Sequence, residues 1–275
     1  MQAYTGFAEV YDLFMDNVPY DAWEALICRK LADHGITEGL VLELGCGTGI
    51  MTERLSARGY DMIGVDLSED MLSEAMEKRS VSGQNILYLN QDMREFELYG
   101  TVAAIVCVCD SLNYLTTKED LIQVFRLVNN YLDPGGLFVF DFNTPAEYES
   151  PLRRHPILDE QEGITMIWEN EYDPDARLNE HRLTFFLPLE VENGRVEDCD
   201  GEHEILPPQG EGEPLYVKVQ EVHEQRAWTL AEIRACLQEA GLVFEAACDP
   251  EDGQAAEDHT CRFFCTAHEK GKGRA

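Results

Sequence analysis

The chain reads as a doubly wound α/β domain, a parallel-type sheet of seven strands interrupted by an antiparallel β insertion. Three observations predict this. Up to residue 143, short apolar runs alternate with segments of helical apolar spacing. A glycine cluster or an aspartate stands at or just beyond the end of those runs: Gly45 to Gly49, Asp66, Asp92, Asp110 and Asp141. From 144 to 226 the pattern changes to longer extended runs, after which a helix and two strands follow. Continuous apolar strands between amphipathic helices need cover on both faces, which is the situation of a parallel sheet between helical layers. In such sheets the ligand lies beyond the carboxyl ends of the strands, where strand order reverses.

Taken in order, Asp21 to Gly35 carries Trp23, Leu26, Ile27 and Leu31 at helical spacing. Leu40 to Leu44 is a short apolar strand, and the glycines open a helix over Thr48 to Arg58. Tyr60 to Val65 is a strand ending at Asp66; Ser68 then caps a helix to Lys78, its hydroxyl free to accept an orphan N–H. Ile86 to Asn90 and Val102 to Val108 are strands, and Lys118 to Tyr131 is a helix. Asp133-Pro-Gly-Gly136 predicts a turn before the strand Leu137 to Phe142. Within the insertion, Ile164 to Tyr172, Arg182 to Val191 and Leu215 to His223 predict strands. Turns at Asp173-Pro-Asp-Ala176 and Glu192-Asn-Gly194 separate them. Glu197 to Pro214 predicts an exposed loop. Thr229 caps a helix stopped by Gly241, and Leu242 to Ala247 and Thr260 to Ala267 close the sheet. The domain thus comprises 1–143 and 227–268, the insertion 144–226, and a disordered tail 269–275.

The net charge of −32 over 275 residues disfavours a nucleic-acid partner and an anionic membrane surface, both of which reward cations. Nine cysteines are scattered without a C-x-x-C pair, which suits free thiols in a reducing cytoplasm better than a zinc site. The N-terminus lacks a basic n-region, and no apolar run reaches the length of a membrane span. His203 between Glu202 and Glu204 sits in the exposed loop and reads as surface, so no metal is expected.

The stretch Val41-Leu-Glu-Leu-Gly-Cys-Gly-Thr-Gly49 carries the chemistry. A strand–glycine–helix turn lets a ligand approach the backbone and presents helix N–H groups to it. The dinucleotide pattern G-x-G-x-x-G is not met, because Ile50 stands where its third glycine belongs. Glu43 just before the loop is unwelcome beside a pyrophosphate but suits a ligand with a positive amine. Asp66 at the next strand end can accept ribose hydroxyls, and Asp92 can accept from an adenine amino group.

ELGCGTG, GVDLSEDML (64–72), NQDMREF (90–96) and CDSLNYL (109–115) resemble, in order, the successive motifs of class I S-adenosylmethionine-dependent methyltransferases. The opening YTGFAEVYDLFMDNVPYDAW is similar to the N-terminal segment of the small-molecule and uncharacterised bacterial branch of that superfamily. The resemblance implies a Rossmann-like methyltransferase fold with S-adenosyl-L-methionine as cofactor and S-adenosyl-L-homocysteine as product. It implies that Gly45, Cys46, Gly47 and Gly49 pass under the methionine part, with Glu43 ordering the loop and the amine. Asp66 would bind the ribose, Leu67 and Met71 would border the adenine, Asp92 would meet its amino group and Met93 its face. Cys109 and Asp110 would lie beside the methionine part and the acceptor. Tyr4, Phe7 and Tyr11 would contribute to a lid, and Trp23 would line the same pocket; their helical spacing equally suits Tyr4, Phe7 and Tyr11 to a packed face. Asp110, Tyr11 and His223 are the candidate bases, needed only where the acceptor must lose a proton.

The expected activity is methylation of a small-molecule acceptor by a cytoplasmic monomer or homodimer, the insertion roofing the acceptor site. An RNA-modifying methyltransferase conflicts with the charge. A non-catalytic cofactor-binding regulator remains a different class of reading, distinguished by binding without methyl transfer.

Overall fold

The computed structural model describes residues 8–15, 18–188, 215–250 and 260–272. Tyr4, Phe7, the turn at 192–194 and the whole of the acidic loop at 197–214, His203 included, lie outside the described residues.

The elements run α1 (Ala8–Tyr11), α2 (Tyr20–Asp33), β1 (Leu40–Leu44), α3 (Ile50–Ala57), β2 (Asp61–Asp66), α4 (Glu69–Ser82), β3 (Leu87–Asn90), β4 (Val102–Cys107), α5 (Lys118–Tyr131) and β5 (Leu132–Asn143). They continue with α6 (Pro145–Glu149), β6 (Ile157–Gln161), β7 (Ile164–Asp173), β8 (Leu178–Pro188), β9 (Tyr216–Arg226), α7 (Leu230–Ala240), β10 (Leu242–Cys248) and β11 (Arg262–Glu269). The caps read from the sequence form. Ser68 Oγ accepts from Met71 N at 3.3 Å. Thr229 and Glu232 complete a reciprocal capping box, and Gly241 ends α7 in the left-handed region.

The main sheet has seven strands in the order β10, β11, β5, β4, β1, β2, β3. The five strands from β5 to β3 pair in parallel, and β11 and β10 add antiparallel. Strand order therefore reverses between β1 and β4, which puts the ends of these two strands, at Gly45 and Val108, side by side. Phe125, Phe138, Phe140 and Phe142 are fully buried on one face of the sheet, and Leu31, Val41, Met62 and Val139 on the other.

Two details differ from the sequence reading. Asp133-Pro-Gly-Gly136 does not precede a strand but interrupts one. Val102 pairs with Leu132 and Ala104 with Leu137, so the four residues loop out of a strand that begins at Leu132. The expected tail begins inside β11. Glu269 Oε2 accepts from Gly135 N at 3.0 Å and Gly271 N at 2.7 Å, and Lys272 Nζ reaches the carbonyls of Asn130 and Leu132 at 2.8 Å. Residues 269–272 are thus tied to the β5 loop, and 273–275 lie outside the described residues.

The insertion is a separate antiparallel sheet, β6-β7-β8-β9, with β6 an edge strand that the sequence pattern did not single out. Phe185 and Met166 on its inner face pack with Val10 and Phe14 from the N-terminal segment. Asn113 Nδ2 donates to Asn143 O at 2.9 Å and Arg226 O at 2.7 Å, fastening the turn after β4 to both junctions of the insertion.

Candidate active site

A cavity of about 330 Å³ opens at the carboxyl ends of β1, β2, β3 and β4. Glu43, Gly45, Cys46, Gly47, Asp66, Leu67, Met71, Asp92, Met93, Cys109 and Tyr11, all expected at the site, line it.

The glycine loop follows from β1 and β2 lying in register. Gly45 N and Cys46 N both donate to Val65 O, at 2.8 and 3.0 Å. Gly47 N then donates to Asp66 Oδ2 at 2.8 Å, while Ser68 N donates to Asp66 Oδ1 at 2.9 Å. Each carboxylate oxygen has a second lone pair, so Asp66 can still accept from a ligand diol. Burial raises Asp66 above the usual carboxylate range, and the N–H donors of Ser68 and Gly47 partly offset it. Glu43 is buried beneath the loop, where Thr52 donates to it. Burial pushes its pKa up to about 8, with Thr52 opposing and Asp66 adding to the rise.

Asp92 is gripped by Arg94, whose Nε lies 3.0 Å from both carboxylate oxygens. Burial would raise its pKa, but the hydrogen bonds and charge of Arg94 carry it below the ordinary value. Tyr11 keeps its proton: burial, with Tyr20, Cys109 and Asp110 nearby, raises its pKa well above the usual phenol value. It suits a hydrogen-bond donor better than a base.

Four expected residues do not line the cavity. Gly49 caps α3 with φ of +79°, and a Cβ there would come within 2.4 Å of Tyr88 Oη, so helix–strand packing demands the glycine. Trp23 is core, its ring under the guanidinium of Arg262 at 5.2 Å. Asp110 turns away, taking Arg262 Nη2 at 2.7 Å and Gln225 Nε2 at 2.7 Å, while its own N–H reaches Asp141 at 2.9 Å. His223 is buried one layer behind the wall, against Tyr114. Cys109 and Asp110 are both left-handed, φ of +59° and +52°, the sharp turn that sends one side chain into the cavity and the other into the insertion.

The cavity also gathers Tyr20, Thr48, Gln91, Ser111, Tyr114 and Leu115, which sequence reasoning did not assign. Ser111 and Tyr114 lie within the motif CDSLNYL, so position alone flagged them. Tyr20 reaches the wall from the first turn of α2, whose Leu26, Ile27 and Leu31 pack on the face of the sheet with Val41, Val106 and Val139.

The chain matches the methyltransferase domain family over residues 41–136, the strands and loops that build this cavity. YqeM of Bacillus subtilis (strain 168), a methyltransferase by name, is 36% identical over 240 residues, 87% of this chain and 86% of its own. The chain belongs to the class I S-adenosylmethionine-dependent methyltransferases. The crystal structure of an S-adenosylmethionine-dependent methyltransferase from Clostridium acetobutylicum ATCC 824 is similar with TM-score 0.78 and 28% identity, covering 98% of this chain and 100% of its own. Over a shorter stretch of 137 residues, 49% of this chain and 56% of its own, the dTDP-3-amino-3,4,6-trideoxy-alpha-D-glucopyranose N,N-dimethyltransferase of Streptomyces venezuelae is 32% identical.

The residues present fit the cofactor of this methyltransferase family. Three carboxylates, Glu43, Asp66 and Asp92, line the cavity, and carboxylates can accept from a cationic amine, a ribose diol or an exocyclic amino group; Met71, Met93, Leu67 and Leu115 add apolar lining. Gly47, where a Cβ would meet no protein atom within 4 Å, leaves the floor open.

Proposed function

We propose that this enzyme methylates a nitrogen of a small-molecule acceptor, at a site between the glycine loop and the insertion. The observation that carries it is the cavity itself. It is small, its wall is aromatic and carboxylate-rich, and its one arginine, Arg94, is already paired with Asp92. Such a wall favours a neutral or cationic acceptor over a phosphate chain, in keeping with a net charge of −32. The sugar N,N-dimethyltransferase among the relatives supports the choice of nitrogen.

The cofactor supplies an electrophilic methyl group on a sulfonium. In this reading Glu43 and the loop Gly45–Gly47 hold the amino-acid end, Asp66 holds the ribose and Asp92 with Met71 and Met93 holds the adenine. Tyr11, Tyr20 and Tyr114 wall the acceptor side with hydroxyls and ring faces, which tolerate a sulfonium without a counter-charge that would oppose its neutralisation. The sheet β6–β9 forms the roof and keeps water out. Alignment of acceptor and methyl is then the main catalytic contribution.

The test has two parts. Calorimetry with S-adenosylhomocysteine should show binding that weakens by about 10- to 100-fold in Asp66→Ala, as loss of charged hydrogen bonds predicts. A panel of small amines, amino sugars and amino acids, with tRNA alongside, should then yield S-adenosylhomocysteine from S-adenosylmethionine with at least one amine and none with tRNA. Turnover on tRNA alone would overturn the small-molecule reading.

A further inference from the structure

Two anchors hold the N-terminal segment to the rest of the molecule. One is apolar: Val10 and Phe14 pack with Met166 and Phe185 of the insertion. The other is polar and centres on Asp12, which opens the short turn Asp12–Met15 after α1. Asp12 Oδ1 accepts from Thr48 Oγ1 at 2.7 Å, and Asp12 Oδ2 lies 2.6 Å from Lys78 Nζ of α4. Lys78 Nζ also donates to the carbonyl of Thr48 at 3.0 Å. Asp12, Thr48 and Lys78 thus close a triangle in which the hydroxyl and the carbonyl of Thr48 are both held. Thr48 belongs to the glycine turn. It stands between Gly47 and Gly49, which are left-handed with φ of +53° and +79°. Two permissive neighbours make its position costly to order. The strand side of the loop has its own ties, since Gly45 N and Cys46 N donate to Val65 O and Gly47 N to Asp66. On the Thr48 side the tie comes from Asp12 and Lys78.

We propose that Asp12 is a positioning residue for the cofactor, clamping the glycine loop through Thr48 and, from the same point of the chain, setting Tyr11 in the cavity wall. Thr48 is buried and lines the cavity, and so does Tyr11, the residue next to Asp12. Asp12 itself is not among the lining residues, so it acts through these two. The inference goes beyond the amine reading. It rests only on the glycine loop holding the cofactor, which the Asp66→Ala titration tests separately.

The two sides of the triangle at Asp12 differ in strength. A hydroxyl donating to a carboxylate is a charge-assisted hydrogen bond, and Thr48 is out of water. The ion pair is more open: the side chains of Lys78 and Asp12 are 30% and 36% exposed, so solvent screens it and it adds less. Together they order the loop before the ligand arrives, which lowers the entropy lost on binding. Loss of such preorganisation shows chiefly as faster dissociation. The ligand in turn should steady the segment that carries Asp12, because whatever binds the clamped form disfavours the open one.

The experiment follows dissociation of S-adenosylhomocysteine from the immobilised full chain by surface plasmon resonance. Asp12→Ala and Thr48→Val should each raise the dissociation rate by about tenfold, as loss of a charged hydrogen bond predicts. The double variant should be no faster than the faster single, because both changes remove one link. Lys78→Met should raise the rate by less than about fivefold. Thr48→Ser keeps the hydroxyl and should restore the parent rate. An unchanged rate in Asp12→Ala with a lowered melting temperature would leave Asp12 a structural role alone. Additive effects in the double variant would mean that Thr48 meets the ligand without help from Asp12. Either result overturns the proposal. A second measurement uses the unsubstituted protein: saturating S-adenosylhomocysteine should slow amide exchange in residues 8–15 by about tenfold or more. Exchange indifferent to the ligand would overturn the proposal even if no variant folds. No acceptor takes part, so the clamp and the amine reading stand or fall in separate experiments.

Discussion

Glu43 shows how one buried group sets both a site and a pH dependence. Its carboxyl is buried beneath the glycine loop and its pKa is pushed up to about 8, whereas in the unfolded chain it titrates near the ordinary carboxylate value. The folded state therefore holds a proton that the unfolded state releases. The stability tied to this group is full below the unfolded pKa and is lost as pH rises through about 8. Glu43→Gln cannot ionise and still accepts from Thr52. Its melting temperature without ligand should exceed the parent's at pH 8.5 by about 2–4 °C and match it near pH 4, as scanning calorimetry would read. An equal offset at both pH values would refute the assignment.

At the scale of elements, the three alternating glycines of the β1–α3 turn divide into different jobs. A Cβ at Gly45 would meet Ser111 Oγ at 2.6 Å, and one at Gly49 would meet Tyr88 Oη at 2.4 Å and Ala75 Cβ at 3.0 Å. Gly47 faces no protein atom within 4 Å. Gly47→Ala should therefore cost only the left-handed backbone penalty, roughly 1–2 kcal/mol by denaturation, while weakening S-adenosylhomocysteine binding. Gly49→Ala should cost more than that in stability, because Tyr88 must move as well. Comparable losses of stability for the two variants would show that the turn, not the packing around it, sets the demand for glycine. The pattern of glycines was plain in the sequence, but their division of labour was not, since the atoms that crowd them come from β3, α4 and the turn after β4.

For the whole molecule, the decisive joint is between the main sheet and the insertion. Arg262 of β11 bridges Asp141 of β5 at 2.6 Å and Asp110 at 2.7 Å, and Asp110 passes the connection to Gln225 of β9. Asp141 is completely buried, so its charge depends on this partner. Arg262→Ala should destabilise by about 3–5 kcal/mol in urea unfolding, the range for stripping one member from a buried pair. A loss below about 1 kcal/mol, the range of exposed pairs, would mean that water reaches the cluster. Arg177 makes a second joint, its two nitrogens at 2.7 and 2.8 Å from the carboxylate of Glu232 in the capping box of α7.

The sequence by itself determined the alternation of strands and helices, the caps at Ser68 and Thr229, the glycine turn and the acidic residues at the strand ends. Each is written in a few adjacent residues, where period, cap chemistry and backbone freedom act locally. Only the tertiary structure decided the strand order, the left-handed pair at Cys109 and Asp110, and which side chains finally face the cavity. Asp110 and Gln225 are 115 residues apart, Tyr114 and His223 109 apart, and no local period records such a meeting. Trp23 and Tyr20 share one helix, yet the first is core and the second lines the site, because α2 packs on the face of the sheet and its first turn reaches the cavity. Burial fixes that choice through contacts with strands far along the chain, and those contacts exist only once the sheet has closed.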